Sequence, residues 1–408
     1  MKKSLSVIAS ALMALSLASC SSTDAGNTRA NAPLEKVSYE KVNLPANFIK
    51  GADVSELLEM EESGFVYLNK DGKPQDCLEI LKDSGFNYVR VRLWVDPYDD
   101  SGNTYGAGHN DLKTTLTLAK RAKSLGLKFL LDFHYSDFWT DPGKQIKPKA
   151  WEKLSFEELN RAIEEYTRQT IETFRKEGAM PDMVQIGNEI NSGILWPDGK
   201  SWGGDGHEFD RLSQLLKSAI KGFSEAKGDA DCPVMLHLAK GPDNGMFKWW
   251  FGEITKREVP FDIVGMSMYT WWDGKIGELE DNIRYVRETY GKEVIVVEGS
   301  YPYTLESKDS LANDFSQKDA DTSGYEASVE GQYTYLRDLL NGISKAGGNG
   351  FFYWGTTWKT GKDISWGTPA SFKYIGCDQG CSVGNARENQ ALFDDEGKVL
   401  PSVAVFNN

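Results

Sequence analysis

MVQIGNEINSGILWPDG, residues Met183–Gly199, is the stretch on which the predicted fold rests. Its apolar start ends abruptly, and Asn188 and Glu189 follow. Strands of an α/β barrel deliver functional groups to the rim of a buried core in this way. A second run of the same design, VIVVEGSYPY at Val294–Tyr303, ends its β-branched residues at Glu298. Two strand-end glutamates predict a carboxylate pair that cleaves a glycosidic bond, with Asn188 placed to bond a sugar hydroxyl next to the reacting carbon.

Apolar, β-rich runs occur eight times along the chain and are separated by segments with helical periodicity. Eight such alternations predict an α/β fold, a (β/α)8 TIM barrel in one domain with long βα loops, and not an open doubly wound sheet. The predicted strands are Phe48–Val54, Asn87–Trp94, Lys128–His134, Met183–Glu189, Pro233–Ala239, Asp262–Tyr269, Glu293–Glu298 and Gly350–Trp354. The predicted helices include Lys113–Leu125, Ser155–Glu177, Glu208–Lys227, Leu279–Tyr290 and Val329–Ala346.

The composition narrows the class of substrate. The formal charge of −14 argues against nucleic acid, because a phosphate backbone requires clustered Lys and Arg. The 12 Trp, 17 Tyr and 19 Phe suit a cleft that stacks on sugars, although most aromatic side chains must fill the core. No G-x-G-x-x-G or P-loop motif follows the first predicted strand, which argues against nucleotide binding. A neutral or weakly charged substrate fits best.

The N-terminus predicts export. Two lysines precede the apolar stretch Leu5–Leu17, which is too short for a permanent membrane span and is typical of a signal peptide. The stretch ends in Leu-Ala-Ser-Cys, which resembles a bacterial lipobox with Cys20 as the lipidated residue; an ordinary signal peptide with an incidental cysteine is the alternative. We therefore expect a membrane-anchored bacterial lipoprotein at the outer membrane or cell surface, acting as a monomer. The predicted domains are a signal peptide at 1–20, a flexible tether at 21–46 and a catalytic barrel at 47–408.

The four remaining cysteines divide into two groups. Cys377 and Cys381 lie in a glycine-rich stretch, and an exported protein can close such a loop with a disulfide. Cys77 and Cys232 are interpreted as free thiols or buried small hydrophobic residues. No histidine stands at ligand spacing from the cysteines, so a zinc site is not expected.

Charged and polar residues accompany several predicted strand ends. Arg90 and Arg92 alternate with valine, so both side chains point to one face of the second strand. Arginines inside a barrel are costly unless carboxylates neutralise them. An inward arginine and the Tyr269 hydroxyl are predicted to bond to Glu298 and to keep it ionised. Glu189, in a more apolar setting once substrate covers it, is predicted to keep a raised pKa and to act first as acid and then as base.

The aromatic residues and the histidine leave alternatives open. Trp139 and Trp358 follow strand ends among polar residues, so each is predicted as a sugar platform or as core. Trp249 and Trp250 are predicted to fill the core. His134 either binds substrate or braces its loop.

The chain resembles glycoside hydrolase family 53, the endo-β-1,4-galactanases of the clan A barrels, from about Phe48 to Phe406. The resemblance rests on several stretches, which are FIKGADVSELLEMEESG, YVRVRLWVDP, DFHYSDFWTDPGKQIKPKAW, QIGNEINSGILWPDG, YPYT after Glu298, and ENQALFDDEGKVLPS. It implies that Glu189 is the acid/base and Glu298 the nucleophile of a retaining hydrolysis that requires no cofactor. The implied substrate is the β-1,4-galactan of pectic side chains, cut internally to galactooligosaccharides. The residues implied to line the reacting subsite are Arg90, Arg92, His134, Asn188, Tyr269 and Trp354.

The resemblance also implies a structural calcium ion in the loop after the seventh strand. Only part of the oxygen set that bacterial members carry is present here, and a calcium ion takes six to eight oxygens. The expected ligands are Asp309, Asn313 and Glu388, with the acidic run 314–321 as a further source of oxygens. The positions compared are Ser307, Asp309, Leu311, Asn313, Asn385 and Glu388.

Two other functions remain open at this point. The leading hypothesis is the galactanase, and the second enzyme hypothesis is another clan A endo-glycanase, of mannanase or xylanase type. A non-catalytic surface lipoprotein that captures glycans is the second alternative, although the presence of both glutamates argues against it.

Overall fold

Eight parallel strands close into a barrel in the computed structural model, which describes residues 42–377 and 379–407. Each strand pairs with its neighbours in the sequence, and the first strand closes the barrel by pairing Ile49 with Gly350 of the eighth. The fold class that the sequence predicts is therefore confirmed. The strands are β1 Ile49–Asp53, β2 Tyr88–Leu93, β3 Lys128–Phe133, β4 Met183–Ile186, β5 Val234–Leu238, β6 Ile263–Ser267, β7 Glu293–Glu298 and β8 Gly350–Tyr353.

Most strand ends lie within two residues of the predicted ends, and β4 is the exception. It was predicted to reach Glu189 but ends at Ile186. Gly187 has a φ of 84° and Glu189 a φ of 48°, so the chain leaves the extended conformation before the carboxylate. Glu189 therefore stands on a left-handed turn above the strand, a backbone position that functional sites often hold under strain.

Helices cover the outside of the barrel, and their ends follow from the sequence. The capping box of Ser155 and Glu158 satisfies free backbone N–H groups and fixes the start of the helix Phe156–Lys176. The helices named from the sequence are found with ends shifted by at most three residues, and the described residues form five further α-helices. The helices are α1 Leu57–Glu62, α2 Cys77–Asp83, α3 Leu112–Ser124, α4 Phe156–Lys176, α5 Glu208–Ala226, α6 Asn244–Lys256, α7 Ile276–Tyr290, α8 Gln317–Ser323, α9 Val329–Lys345 and α10 Pro369–Tyr374.

The pair Trp249 and Trp250 shows how helix geometry separates two adjacent residues. Trp250 is fully buried on α6, as predicted, but 43% of Trp249 is exposed. Neighbours on a helix point about 100° apart, so both cannot face the barrel. The prediction that Trp249 fills the core is wrong.

The ends of the chain bear on the predicted domain boundaries. Cys20, the signal peptide and most of the predicted tether lie outside the described residues. Val42 is only 2% exposed and belongs to the hydrophobic core, so the last residues assigned to the tether pack on the barrel. Within residues 42–377 and 379–407, no helix is long and apolar enough to span a membrane.

The segment after β8 returns across the barrel. Cys377 and Cys381 form a disulfide in it, and Cys77 and Cys232 are buried free thiols, in agreement with their interpretation from the sequence. A final 3-10 helix, Pro401–Phe406, packs against α9. This return brings the ENQALFD stretch close to the carboxyl ends of the strands.

Candidate active site

A pocket opens at the carboxyl ends of the barrel strands, where α/β barrels carry their active sites. Its volume of about 320 Å³ falls at the small end of the usual range for ligand sites. All ten residues that the sequence predicts as catalytic or substrate-binding line it. The lining comprises Asp53, Arg90, Arg92, Asp132, His134, Trp139, Thr140, Asp141, Lys144, Asn188, Glu189, Tyr269, Glu298, Asp314, Trp354, Trp358, Trp366, Ala386 and Arg387.

Arg90 is the centre of the polar network at the base of the pocket. Its guanidinium, 1% exposed, lies 3.1 Å from Asp53, 2.7 Å from Asp132 and 3.4 Å from Glu298. It also donates to the Asn188 side-chain oxygen at 2.8 Å. A buried charge requires such partners, and these carboxylates meet the expectation for an inward arginine. Arg90 therefore fixes the positions of Glu298 and Asn188 relative to each other.

Arg92, the second inward arginine, also has the carboxylate partner expected for it. It pairs with the fully buried Glu56 at 2.8 Å and donates to the Ala107 carbonyl. Its guanidinium carbon lies 4.1 Å from the ring centroid of Trp139, a cation–π contact. Arg92 thus holds the Trp139 ring in the pocket wall.

Glu189 and Glu298 face each other across the pocket. An oxygen of one lies within 4.8 Å of an oxygen of the other. Tyr269 donates its hydroxyl proton to Glu298 at 2.8 Å, and Ser267 donates to Glu189 at 2.5 Å. Carboxyl groups about 5 to 5.5 Å apart are typical of retaining glycosidases, because one of them must attack the sugar directly.

The surroundings give the two carboxyl groups different proton affinities. Burial raises the pKa of Glu298, while the Arg90 charge and the Tyr269 hydrogen bond oppose this rise. Burial raises the pKa of Glu189 well above its usual value, and the negative charge of Glu298 raises it further. One proton shared by the pair therefore resides on Glu189. Glu298 has the stabilising partners predicted for it, although burial still raises its pKa.

Asn188 and His134 are held by the loop after β3. One amide hydrogen of Asn188 is donated to the Thr140 carbonyl at 2.8 Å, which leaves the second for a ligand. His134 lies 3.2 Å from Asp132 through Nε2 and 2.9 Å from the Thr140 hydroxyl through Nδ1. Burial lowers the pKa of His134, so the ring is neutral. Both of its nitrogens have protein partners, which favours bracing of the loop over direct substrate binding.

Tryptophans form one wall of the pocket. The ring centroids of Trp139 and Trp354 lie 6.0 Å apart, those of Trp139 and Trp358 also 6.0 Å, and those of Trp354 and Trp358 5.8 Å. Trp358 is only 2% exposed, so it supports the wall more than it offers a free face. Sugars stack on aromatic faces of this kind.

The match to known proteins covers the whole barrel. Residues 49–406 match the family described as glycosyl hydrolase family 53. The chain belongs to this family. The resemblance seen in its motifs is thereby confirmed.

Three relatives illustrate the similarity. The endo-beta-1,4-galactanase of Bacillus subtilis (strain 168) is 38% identical over 88% of this chain and 85% of its own length. The arabinogalactan endo-beta-1,4-galactanase of Cellvibrio japonicus (strain Ueda107) is 36% identical over 88% of this chain and 90% of its own. The solved GH53 catalytic domain of Ignisphaera aggregans superposes with a TM-score of 0.84 at 38% identity, covering 91% of this chain and 98% of that one.

Arg387 and Asp314 line the pocket of this family 53 barrel but were not predicted. The guanidinium carbon of Arg387 lies 4.9 to 5.0 Å from the ring centroids of Tyr269, Trp272 and Trp354. Its Nε lies 2.5 Å from the Asp314 carboxylate. Arg387 directly precedes the ENQALFD stretch, and this position beside a family motif is the one clue to its role in the sequence. Arg387 lies in the pocket because the segment after β8 folds back over the barrel.

His237 was also missed, although it is a polar residue in the apolar run PVMLHLA. Among the described residues, the one group of three with metal-ligating atoms in mutual reach is Glu189, His237 and Glu298. Both ring nitrogens of His237 already have hydrogen-bond partners, Ser267 at Nε2 and Gln185 at Nδ1. A metal ion there would have to break these bonds.

The predicted calcium residues lie apart from the pocket, in the loop after β7 and the segment after β8. Asp309 accepts the backbone N–H groups of Leu311 at 2.7 Å and Asn385 at 2.6 Å. Glu388 accepts the backbone N–H of Lys308. The Oδ1 atom of Asn313 and Oε2 of Glu388 are buried without a hydrogen-bond partner. Buried oxygens without partners are uncommon and suit a bound cation.

Proposed function

We propose that this family 53 protein is a retaining endo-β-1,4-galactanase that cleaves (arabino)galactan side chains of pectin to galactooligosaccharides. The observation that carries the proposal is the facing pair Glu189 and Glu298, with oxygens within 4.8 Å, in a barrel of this family. The names of the relatives from B. subtilis and C. japonicus support galactan over mannan or xylan.

The chemistry proceeds in two displacements. Glu298 attacks the anomeric carbon while Glu189 gives its proton to the leaving glycosidic oxygen, so the bond to that oxygen breaks and an ester to Glu298 forms. Glu189, now ionised, then takes a proton from water, which attacks the same carbon and releases Glu298. Two inversions retain the configuration, and the two carboxyl groups supply the acid, base and nucleophile without a cofactor.

The neighbouring residues prepare these steps. Arg90 and Tyr269 oppose the effect of burial and favour the ionised form of Glu298, which attacks carbon. The free amide hydrogen of Asn188 is available to the sugar hydroxyl next to the reacting carbon. The tryptophan wall, with Trp139 fixed by Arg92, supplies the surface on which galactose rings stack.

Hydrolysis of a polysaccharide panel tests the proposal. We expect the wild-type protein to release reducing ends from linear β-1,4-galactan, with oligomers of mixed length early in the reaction. Mannan, xylan and β-1,3-linked galactan serve as controls. Cleavage of mannan or xylan in place of galactan would move the assignment to another clan A activity. Binding of galactan without products would support a glycan-capturing protein.

We propose that calcium stiffens the loop after β7 and takes no part in the chemistry. Asp309, Asn313 and Glu388 would hold the ion, and the partnerless oxygens of the last two support this. A ligand at 100 times its Kd stabilises a fold by about 2.7 kcal/mol, so calcium is expected to raise the melting temperature of EDTA-treated protein. Asn313→Leu should lose this rise, and the exposed Asp229→Asn should keep it. An unchanged melting temperature in millimolar calcium would contradict the proposal.

We propose further that the protein is exported and held at the outer membrane or cell surface by a lipid on Cys20, with a monomeric barrel beyond the tether. The charged start, the short apolar stretch and the small residues before Cys20 support this. Mass spectrometry of the mature N-terminus tests it, since an unmodified residue other than Cys20 there would contradict lipidation. Light scattering of the barrel measures its oligomeric state.

A further inference from the structure

A column of buried polar side chains stands beneath Glu189. The Ser267 hydroxyl lies 2.5 Å from Glu189 Oε1, and His237 Nε2 lies 2.9 Å from that hydroxyl. Gln185 Nε2 lies 3.1 Å from His237 Nδ1 at the other side of the ring. Ser267, His237 and Gln185 are fully buried on β6, β5 and β4. Polar groups at such depth are costly unless each hydrogen bond is made.

The donors around His237 set the direction of these hydrogen bonds. Its Nδ1 accepts the backbone N–H of Glu189 at 3.4 Å, a donor whose direction is fixed, and lies 3.1 Å from the Gln185 amide nitrogen, which also donates to the Gly187 carbonyl. Asn188 Oδ1 also lies 3.2 Å from Nδ1, but it is bonded by Arg90 and also lies 3.3 Å from the Gln185 amide nitrogen. Burial lowers the pKa of His237 well below its usual value, so the ring carries one proton. Nδ1 therefore accepts, and the proton is on Nε2.

The hydrogen bonds run in one direction, from His237 through Ser267 to the carboxyl group of Glu189. Nε2–H donates to the Ser267 oxygen, so the single hydroxyl proton of Ser267 is donated onward to Glu189 Oε1. The reverse direction would put the proton of His237 on Nδ1, where it would point at the backbone N–H of Glu189. The column therefore presents a donor to Oε1 whether Glu189 is ionised or protonated.

We propose that Ser267 and His237 are positioning residues that hold Glu189 and keep its transferable proton on Oε2, the oxygen left for the glycosidic bond. The inference rests on the proposed function, in which Glu189 is the acid and base. Neither residue touches substrate, because both are fully buried and act through the carboxyl group.

Several titratable groups, three carboxyl groups and the neutral His237 ring, face Glu189 and remain in place when Ser267 is changed. They are Glu298 from β7, His237 from β5, Asp141 from the loop after β3 and Asp273 from the loop after β6. Burial and the negative charges of Glu298, Asp141 and Asp273 raise the pKa of Glu189. The Ser267 hydrogen bond lowers this pKa, because it stabilises the ionised carboxyl group. Its loss therefore raises the pKa of Glu189.

Ser267→Ala is the variant that tests the column. We expect kcat/KM for galactan to fall by about tenfold or more, because the sugar that leaves must receive a proton from Glu189. With a nitrophenyl galactobioside, whose leaving group needs none, kcat/KM should stay within about threefold of wild type. The alkaline limb of the pH profile on galactan should move to higher pH by about half a unit or more.

Two further variants separate positioning from a structural role. His237→Gln keeps an N–H donor toward Ser267 and should retain most galactan activity, whereas His237→Leu should behave as Ser267→Ala does. Ser213→Ala, at a buried serine of α5 away from the pocket, is the matched control and should leave the pH profile unchanged. Thermal unfolding of every variant monitors the fold.

Equal losses on galactan and on the nitrophenyl substrate, with an unmoved alkaline limb, would overturn the proposal. A wild-type protein inert on galactan would contradict the proposed function instead. In that case a 13C NMR titration of the Glu189 carboxyl carbon still decides the inference. An upward shift of its pKa in Ser267→Ala supports the column, and an unchanged pKa overturns it.

Discussion

Glu298→Gln is expected to lower kcat/KM for β-1,4-galactan by on the order of 10⁴-fold or more, because an amide cannot form the ester with the anomeric carbon. The fold should persist, since Arg90 keeps Asp53 and Asp132 as partners. The negative charge that raises the pKa of Glu189 is also removed, so the pKa of Glu189 should fall. Steady-state kinetics on galactan and a 13C NMR titration of Glu189 measure the two effects.

The matched control for this variant lies on the same strand. Glu293→Gln changes an exposed glutamate at the start of β7 and should leave kcat/KM unchanged. Near-normal galactan hydrolysis by Glu298→Gln would rule out Glu298 as the nucleophile. Thermal unfolding distinguishes a chemical loss from an unfolded variant.

Glu189→Ala is expected to lower kcat/KM for galactan by about 10² to 10⁴-fold, the usual contribution of a general acid. A nitrophenyl galactobioside should still form the ester with Glu298, because its leaving group departs without a proton. The ester should then persist, since no base activates water, and azide should release it. The measurement is the rate with and without azide, together with the anomeric configuration of the glycosyl azide.

The anomeric configuration of the glycosyl azide decides which of the two glutamates is the nucleophile and which is the acid/base. Azide that attacks the ester in Glu189→Ala comes from the face that water uses and gives a β-azide. An α-azide from this variant would assign the nucleophile to Glu189 and reverse the proposal. Glu258→Ala is the control, because Glu258 is exposed and shares the positive φ of Glu189, 53° against 48°. Glu258→Ala should show how much stability is lost when alanine replaces a glutamate at a positive φ, and its activity should be unchanged.

The sequence determined the barrel and, except for β4, the ends of its strands to within two residues. Eight β-rich apolar runs alternate with amphipathic helices, and burial of both faces of a parallel sheet leaves few other folds. Because chemistry gathers at the carboxyl ends of barrel strands, Glu189 and Glu298 could be paired from the sequence although 109 positions separate them. The alternation of Arg90 and Arg92 likewise placed both inside. These inferences depend on strand periodicity, which is local in the chain.

Only the tertiary structure decided what surrounds the carboxyl groups. Arg387 reaches the pocket because the segment after β8 folds back over it, and no local pattern specifies that path. Ser267 and His237 are polar residues in apolar strands, but their connection to Glu189 exists only because the barrel sets β5 and β6 beside β4. The left-handed turn at Glu189 likewise depends on the packing around Gly187. Sequence periodicity fixes which face a side chain occupies, whereas hydrogen-bond partners and proton affinities depend on distances that only the closed barrel sets.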